Sequence, residues 1–339
     1  MKVKRLLVVF LLLAGLLGGC VKGPELYSQT YLTLFDTVTT ISGTAQSEAA
    51  FQEQAGVIHD ALLHYHRLFD IYNTYNGMNN LKTVNDNAGI APVQVDSAVI
   101  ALLLDCREYY EMTGGKVNVA MGSVLQLWHQ ARTAALEDPD HGAVPSSEEL
   151  AAAAAHTGWE TVIIDEAAST VYIADPLQRL DVGAVAKGWA AQRVAETIPE
   201  GYLLNLGGNV CATGPKDDRG TPWVVGVADP DHGSSYVHTL ALTEGSAVTS
   251  GDYQRYFTVN GINYHHIIDP VTRMPAAYWR SVTVLCADSG LADALSTALF
   301  VLPLEAGQAL LDDLDAKAMW IDAQGEKYYS SGFEAYIQN

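Results

Sequence analysis

Residues 246–275 read SAVTSGDYQRYFTVNGINYHHIIDPVTRMP, and this stretch places many polar side chains around one predicted hairpin. Asn260–Gly261 is a typical two-residue hairpin turn, and the strand after it ends at Asp269–Pro270. That strand carries two adjacent histidines, His265 and His266. Because successive side chains of a strand face opposite sides, we expect only one of them to face a given site. Taken alone, the histidines also fit an ordinary hairpin with a polar surface.

The rest of the chain mixes strands and helices without a regular strand–helix–strand alternation. The patterns predict a strand at 31–41, a β-like run that becomes a helix at 116–127, a hairpin at 161–173, a polar loop at 70–89, and helices at 45–69, 95–112, 189–197 and 289–302. We find no internal repeat and no linker-like change in composition. The pattern therefore favours a single α+β domain over a doubly wound parallel sheet.

The first twenty residues have the pattern of an export signal. Lys2, Lys4 and Arg5 precede an apolar run at 6–17, which is shorter than the ~20 residues of a membrane-spanning helix. The run ends in Leu-Gly-Gly-Cys, which resembles a bacterial lipoprotein signal and implies that Cys20 is lipidated. We therefore expect a signal peptide at 1–20, a tether at 21–30 and an extracytoplasmic, lipid-anchored domain at 31–339. The alternative is an ordinary signal peptide followed by a coincidental cysteine.

The chain is strongly acidic. Its formal charge is −20, and loss of residues 1–19 with their three positive charges makes it −23. Such a surface argues against nucleic-acid binding and against electrostatic adhesion to anionic lipid. A phosphorylated ligand would need a local counter-charge, for which a divalent cation is the simplest source.

Three cysteines remain after the signal: Cys106, Cys211 and Cys286. An odd and sparse set cannot form a disulfide framework, and no Cys or His spacing indicates a zinc site. At most one pair could form a bridge. We expect these cysteines to act mainly as small buried hydrophobic residues.

Two glycine-containing motifs each allow two interpretations. Residues 181–188, DVGAVAKG, place an acid and a turn before a helix start, where free N–H groups can bind phosphate. A tightly packed, capped helix explains the same pattern. Residues 205–209, NLGGN, follow a short buried strand and indicate either a tight turn or close approach of the backbone to a ligand.

Asp293 and Thr297 are four residues apart in a predicted helix, so their side chains share one face. Carboxylate and hydroxyl oxygens are ligands that Mg²⁺ accepts. The alternative is that Asp293 caps the helix and Thr297 packs in the core. The chain has no nucleophile elbow and no cysteine in a recognisable catalytic context, which leaves acyl transfer without support.

Eight stretches together resemble the ApbE family, the FAD:protein FMN transferases, and they occur in family order from about residue 31 to residue 302. They are LFDTVTTI, KVNVAMGSVLQLW, LDVGAVAKGWA, LLNLGGNV, WVVGVADP, VTSGDYQRYF, HHIIDPVTRMP and DALSTALFVL. The resemblance implies an α+β protein with FAD as substrate in a central cleft and Mg²⁺ or Mn²⁺ as cofactor. It implies transfer of FMN to a Thr or Ser hydroxyl of an acceptor, a membrane or exported redox protein, with release of AMP.

The resemblance also assigns roles to residues at matching positions. Asp293, Thr297 and the backbone carbonyl of Ala184 would bind the metal. His266 and Asp269 would be catalytic. Flavin contacts would come from Phe35, Tyr72, Ala120, Met121, Gly122, Asp181, Lys187, Ile267 and Ile268. The sequence departs from the family pattern at Phe35-Asp36, where Met-Gly is frequent, and at Arg273-Met274, where Thr-Gly is common.

Two other functions remain open at this stage. An exported lipoprotein could capture a flavin without transferring it, or it could hold a flavin for electron transfer. A capture protein has no need of a cation on the diphosphate, so the predicted metal site distinguishes FMN transfer from flavin capture. Within the enzyme reading, either His266 or a nearby carboxylate could accept the proton of the acceptor hydroxyl.

Overall fold

A computed structural model describes residues 23–233 and 235–338 of the chain. The predicted signal peptide, Cys20 and the first tether residues lie outside the described residues. Within the described ranges, no helix is both long and apolar enough to cross a membrane.

The fold combines sixteen strands and eight α-helices in the described residues. The strands are β1 (Glu25–Leu34), β2 (Thr37–Ala45), β3 (Val93–Gln94), β4 (Val162–Asp165), β5 (Thr170–Ile173), β6 (Tyr202–Leu206), β7 (Asn209–Ala212), β8 (Trp223–Ala228), β9 (Tyr236–Leu242), β10 (Gly245–Gly251), β11 (Tyr256–Val259), β12 (Ile262–His265), β13 (Ser281–Cys286), β14 (Ala316–Ile321), β15 (Lys327–Tyr329) and β16 (Ile337–Gln338). The helices are α1 (Glu48–Phe69), α2 (Leu81–Asp86), α3 (Ser97–Met112), α4 (Gly122–Glu137), α5 (Ser147–Ala154), α6 (Ala186–Ala195), α7 (Ser289–Phe300) and α8 (Leu304–Leu311).

An eight-stranded antiparallel sheet, in the order β1-β2-β6-β7-β10-β13-β14-β15, forms the middle of the molecule. Alternate residues of its strands face two different cores. Val248 and Val284 pack against helix α7, whereas Ala247 and Leu285 pack against the small sheet β16-β9-β8. This mixed architecture agrees with the predicted α+β class.

Most predicted helices form, and local capping explains where they begin. Ser47 accepts a hydrogen bond from the Ala50 N–H at the start of α1. The reciprocal capping box of Ser146 and Glu149 starts α5. Helix α7 is buried along almost its whole length, and its N-cap is Asp288, which accepts from the Leu291 N–H.

Three predicted elements were wrong in detail. The single strand at 31–41 is two strands, because Phe35 and Asp36 adopt positive φ angles of 51° and 52° and reverse the chain. The polar loop at 70–89 contains helix α2, which the side chain of Asn80 caps. Residues 116–127 contain no strand in the structure, because a 3₁₀ turn at Val119–Met121 leads directly into α4.

The stretch 246–275 belongs to two sheets. Its first residues are strand β10 of the large sheet, and the predicted hairpin is the separate pair β11–β12. Positive φ angles at Asn260 and Gly261 confirm the predicted two-residue turn. The hairpin is fixed to helix α4 by Trp128, whose ring stacks on Tyr264 and whose Nε1 donates to the Arg273 carbonyl at 2.9 Å.

The three described cysteines are free thiols. Cys106 and Cys211 are buried, as expected for small hydrophobic residues, whereas Cys286 is half-buried. Burial raises the pKa of the Cys211 thiol to about 11, so this side chain stays protonated and unreactive at neutral pH.

Candidate active site

Helices α6 and α7 approach so closely at one point that only glycine fits between them. A Cβ atom at Gly188 would stand 2.5 Å from the Cβ of Asp293 and 3.0 Å from the carbonyl carbon of Ser289. The Gly188 N–H donates a hydrogen bond of 2.8 Å to Asp293 Oδ2. The close packing therefore brings the start of one helix to the carboxylate of the other.

This hydrogen bond caps the start of α6. Gly188 is the third residue of that helix, and the first N–H groups of a helix have no partner within it. The Asp293 carboxylate of the neighbouring helix therefore satisfies one of them. Ala184 lies in the turn before α6, and among the hydrogen bonds of the described residues none ends on its carbonyl.

Asp293 is a buried carboxylate beside a lysine. Its exposed fraction is 3%, and Lys187 Nζ lies 3.9 Å from Oδ2. Burial raises the pKa of Asp293, while the Lys187 charge lowers it. The cap of α7 is Asp288, so Asp293 does not cap its own helix, and its carboxylate accepts instead from an N–H at the start of α6.

The oxygen donors at this point suit a hard cation. Asp293 contributes a carboxylate, Ala184 a carbonyl without a helical partner, and Thr297 a half-buried hydroxyl one turn along α7. The part of the chain that the structure describes has no group of three or more His, Cys, Asp or Glu side chains suited to a metal. A cation here would therefore need further oxygens from phosphate or water, as Mg²⁺ commonly does.

The motif at 205–209 is a tight turn that borders the same carboxylate. Gly207 and Gly208 have φ angles of 61° and 97°, and Asn205 Oδ1 accepts from the Gly208 N–H at 3.0 Å. Asn209 is buried, and within the described chain its Nδ2 makes no hydrogen bond of ordinary geometry. It is nevertheless close enough to lower the pKa of Asp293. The turn interpretation is confirmed, and ligand contact stays a prediction.

The predicted flavin-binding residues at 120–122 lie directly against Asp181. The Asp181 N–H donates to the Val119 carbonyl at 2.8 Å, and the Gly122 N–H donates to the Arg179 carbonyl at 3.0 Å. A Cβ at Gly122 would stand 2.8 Å from the Arg179 carbonyl carbon, so glycine is required for this approach. Ala120 and Met121 are buried, so that mainly their backbone is available to a ligand.

Tyr72 and Asp181 are connected through His129, which the sequence analysis missed. The Tyr72 hydroxyl lies 2.9 Å from His129 Nδ1, and His129 Nε2 lies 3.8 Å from Asp181 Oδ2. No local motif marks His129, because only the packing of α4 brings it between two distant parts of the chain.

The two histidines of the hairpin differ completely in their surroundings. His265 Nε2 lies 2.8 Å from the Ala276 carbonyl, and its Nδ1 accepts from the Ile267 N–H at 3.2 Å. Its ring also meets the edge of Phe300. Both ring nitrogens are engaged, so His265 is a structural residue.

His266 follows the last residue of β12 and has one nitrogen available. Its Nδ1 lies 3.2 Å from the Arg255 carbonyl, which can only accept, so we assign the proton to Nδ1 and a lone pair to Nε2. The surrounding protein lowers the pKa of His266, and the charges of Arg255 and Lys187 lower it further. The residue is nevertheless exposed to solvent. His266 is neutral at pH 7.

Arg255 fixes the hairpin to the turn between β1 and β2. Its Nη2 donates to the carbonyls of Phe35 and Asp36 at 3.2 and 3.0 Å. The charges of Arg255 and Asp36 also act on the Tyr72 phenol. Arg255 thus contacts both Phe35 and His266, and its charge reaches Tyr72. The charge of Lys187, which lies beside Asp293, reaches His266.

The remaining predicted residues lie in structural positions. The Asp269 carboxylate accepts from the Val271 N–H at 2.8 Å and stabilises the turn after the hairpin. Ile267 and Ile268 are both 6% exposed and pack into two different cores, so their side chains have little surface for a flavin. Their roles stay predictions.

A cavity of about 530 Å³ lies elsewhere, at the C-terminal end of α6. Its lining includes Gln192, Cys211 and Cys286 but none of the predicted site residues. The charged and hydrogen-bonded groups of the candidate active site lie instead around Asp293 and His266.

The chain matches the model of the ApbE family over residues 35–320. It is 37% identical over 250 residues to an FAD:protein FMN transferase of Treponema pallidum, covering 68% of this chain and 67% of that protein. It is 30% identical over 333 residues to an FAD:protein FMN transferase of Vibrio cholerae, covering 95% and 96%.

Solved structures show the same relationship. A crystal structure of the ApbE protein of Thermotoga maritima superimposes with a TM-score of 0.82 at 28% identity, covering 93% of this chain and all of that one. The flavin transferase ApbE of Vibrio cholerae superimposes with a TM-score of 0.76 at 25% identity, covering 92% and 99%.

Proposed function

This chain belongs to the ApbE family and transfers FMN from FAD to a protein. From that premise we propose which of its residues bind FAD and which act on the acceptor. Helices α6 and α7 hold the diphosphate of FAD, and the segment after β12 acts on the acceptor hydroxyl. The observation that carries this division is the junction at Gly188. There, a hydrogen bond from the start of α6 fixes the Asp293 carboxylate, and the turn just before that helix carries the Ala184 carbonyl, on which no hydrogen bond of the described residues ends.

We propose that Asp293, Thr297 and the Ala184 carbonyl bind a divalent cation, Mg²⁺ or Mn²⁺. A bound cation would neutralise the charge of the phosphate oxygens as the pyrophosphate bond breaks. Lys187 and Arg255 add two positive groups to an otherwise acidic chain, and both lie within electrostatic reach of His266. These groups supply the counter-charge that an acidic protein needs to bind FAD.

We propose that His266 accepts the proton of the acceptor's Thr or Ser hydroxyl. Its Nε2 carries the lone pair, because Nδ1 donates to the Arg255 carbonyl, and its lowered pKa leaves the ring neutral. The hydroxyl oxygen forms a bond to the FMN phosphorus, the pyrophosphate P–O bond breaks, and AMP leaves with that electron pair. Asp269 contributes by holding the following turn.

We propose that the enzyme works outside the cytoplasm, anchored through lipidated Cys20. The Leu-Gly-Gly-Cys pattern after a basic and apolar segment supports this proposal. The acidic charge of the chain supports it too, since such a surface does not itself adhere to anionic lipid. The acceptor would then be a membrane or exported redox protein with a Thr or Ser at its flavinylation site.

Incubation with FAD, Mg²⁺ and an acceptor protein tests the proposed function. We expect AMP release and covalent FMN on the acceptor in equal amounts, with both lost after chelation of the metal. An intact pool of bound FAD with no AMP would instead favour the capture protein. AMP release that persists in EDTA would contradict the cation proposal alone.

A further inference from the structure

Tyr72 is an exposed aromatic residue whose hydroxyl is nevertheless fixed. Its exposed fraction is 57%, although its backbone N–H donates to Asp70 Oδ1 at 2.7 Å. At the outer end of the ring, the hydroxyl lies 2.9 Å from His129 Nδ1. The residue is thus held at both ends although more than half of its surface is exposed.

The direction of the hydrogen bond between Tyr72 and His129 follows from the position of Asp181. Its Oδ1 accepts from the Gly183 N–H at 2.9 Å, and its Oδ2 faces His129 Nε2 at 3.8 Å. A carboxylate attracts the protonated nitrogen of a neutral imidazole, which places the proton on Nε2 and the lone pair on Nδ1. Tyr72 therefore donates its hydroxyl proton to His129.

The charges around Tyr72 agree with a donating phenol. Partial burial raises the pKa of Tyr72, and the negative charges of Asp181 and Asp36 raise it further. The hydroxyl stays protonated at neutral pH and can serve as the donor. His129 itself is anchored through the packing of its neighbour Trp128 against the hairpin.

We infer that His129 is a positioning residue for FMN transfer, which fixes the Tyr72 ring as a preformed platform for the flat aromatic part of FAD. The inference rests on the proposed function and adds to it a residue that acts through Tyr72 and not on the phosphate. A surface tyrosine without this bond would lose rotational freedom when the ligand binds. Restraining it in advance lowers that cost, typically by a free energy that changes affinity about 2- to 10-fold.

The test compares FAD binding and transfer in four single variants of the full chain and in the double variant His129→Leu/Tyr72→Phe. His129→Leu removes the hydrogen bond to Tyr72 and the polar contact with Asp181, and His129→Gln keeps an acceptor for Tyr72 and a donor toward Asp181. Tyr72→Phe keeps the ring and removes the hydroxyl. His141→Leu is the matched control, because His141 is 82% exposed and bonds only its neighbour Asp138 among the described residues.

We expect His129→Leu to weaken FAD binding about 2- to 10-fold and to reduce quenching of flavin fluorescence by the tyrosine ring, while kcat at saturating FAD changes little. His129→Gln should restore both values, and His141→Leu should change neither. The effects of His129→Leu and Tyr72→Phe should not add, since both remove one interaction. Wild-type FAD affinity in His129→Leu, or full additivity with Tyr72→Phe, would overturn the inference.

Two further readouts keep these outcomes separate. If His129→Leu does not fold, His129→Gln is compared with the double variant His129→Gln/Tyr72→Phe. The FAD affinity and the fluorescence quenching that Gln preserves should both fall when the Tyr72 hydroxyl is also removed. If wild-type protein binds FAD but transfers no FMN, the proposed function fails. The binding and fluorescence measurements still test His129 in that case.

Discussion

The junction of helices α6 and α7 and the hairpin β11–β12 both contribute to the candidate active site, but packing constrains them very differently. Gly188 and Asp293 lie in a buried contact where one added carbon atom would collide with the facing helix. His266 lies beyond the end of a two-stranded hairpin, and its ring meets solvent. We therefore expect changes in the first region to affect both stability and FMN transfer, and changes at His266 to affect transfer without unfolding the protein.

Gly188→Ala should have the largest effect of the single changes considered. The new Cβ would overlap with Ser289 and Asp293, and overpacking of a rigid contact costs about 1–3 kcal/mol or more. We expect a lower free energy of unfolding in denaturant titrations together with loss of FMN transfer. Gly56→Ala is the matched control, because a Cβ there meets no atom within 4 Å and should stabilise α1 by about 0.5–1 kcal/mol. A stable and active Gly188→Ala protein would show that the helix junction is not tight.

Asp293→Asn should keep the shape of the junction and remove its negative charge. We expect FMN transfer to fall about 10³-fold, since cation stabilisation of the transition state is worth several kcal/mol. Mg²⁺ binding, measured by calorimetry in the presence of FAD, should weaken in parallel, while the far-UV circular dichroism spectrum stays unchanged. Transfer that still requires Mg²⁺ at the wild-type rate would place the cation elsewhere.

His265→Ala should act on stability and not on chemistry. It would leave the Ile267 N–H and the Ala276 carbonyl without their partner, at a cost of about 1–3 kcal/mol at pH 7. Burial lowers the pKa of His265 in the folded state, so the wild type loses stability as the pH falls below the unfolded value of about 6.5. The stability difference between wild type and variant should therefore narrow from pH 7 to pH 5. A difference that widens over this range would show that the folded state binds the proton more tightly.

Cys20→Ala should have the smallest effect on catalysis. The predicted tether precedes both regions in the chain, so we expect FMN transfer to an acceptor in solution to stay at the wild-type rate. Membrane fractionation and mass spectrometry should show loss of the lipid and release from the membrane. A variant that still carries lipid would contradict the lipoprotein proposal.

The sequence predicted those features that depend on local rules. The turn at Asn260–Gly261, the capping box at Ser146 and the shared helix face of Asp293 and Thr297 need only a few neighbouring residues. A hairpin at Phe35-Asp36 was not predicted, because non-glycine residues seldom adopt positive φ.

Contacts between distant segments explain the rest. The role of Gly188 as a spacer depends on α7, more than one hundred residues later, and His129 acquires partners only when α4 packs beside Tyr72 and Asp181. The flavin contacts and the Ala184 ligand rest on the family resemblance, whereas Asp293 and Thr297 also follow from their shared helix face. All of these assignments stay predictions.

The central claim is that the helix junction binds FAD while His266 acts on the acceptor hydroxyl. The most direct test is His266→Ala, with FAD affinity and FMN transfer measured in the same preparation in the presence of Mg²⁺. We predict a loss of about 10²–10⁴ in transfer rate, the usual value of general-base assistance, with FAD affinity near that of the wild type. The free energy of unfolding should change by no more than about 0.5 kcal/mol, as for other exposed positions. An equal loss of binding and transfer would make His266 a ligand contact, and unchanged transfer would return the hairpin to a purely structural role.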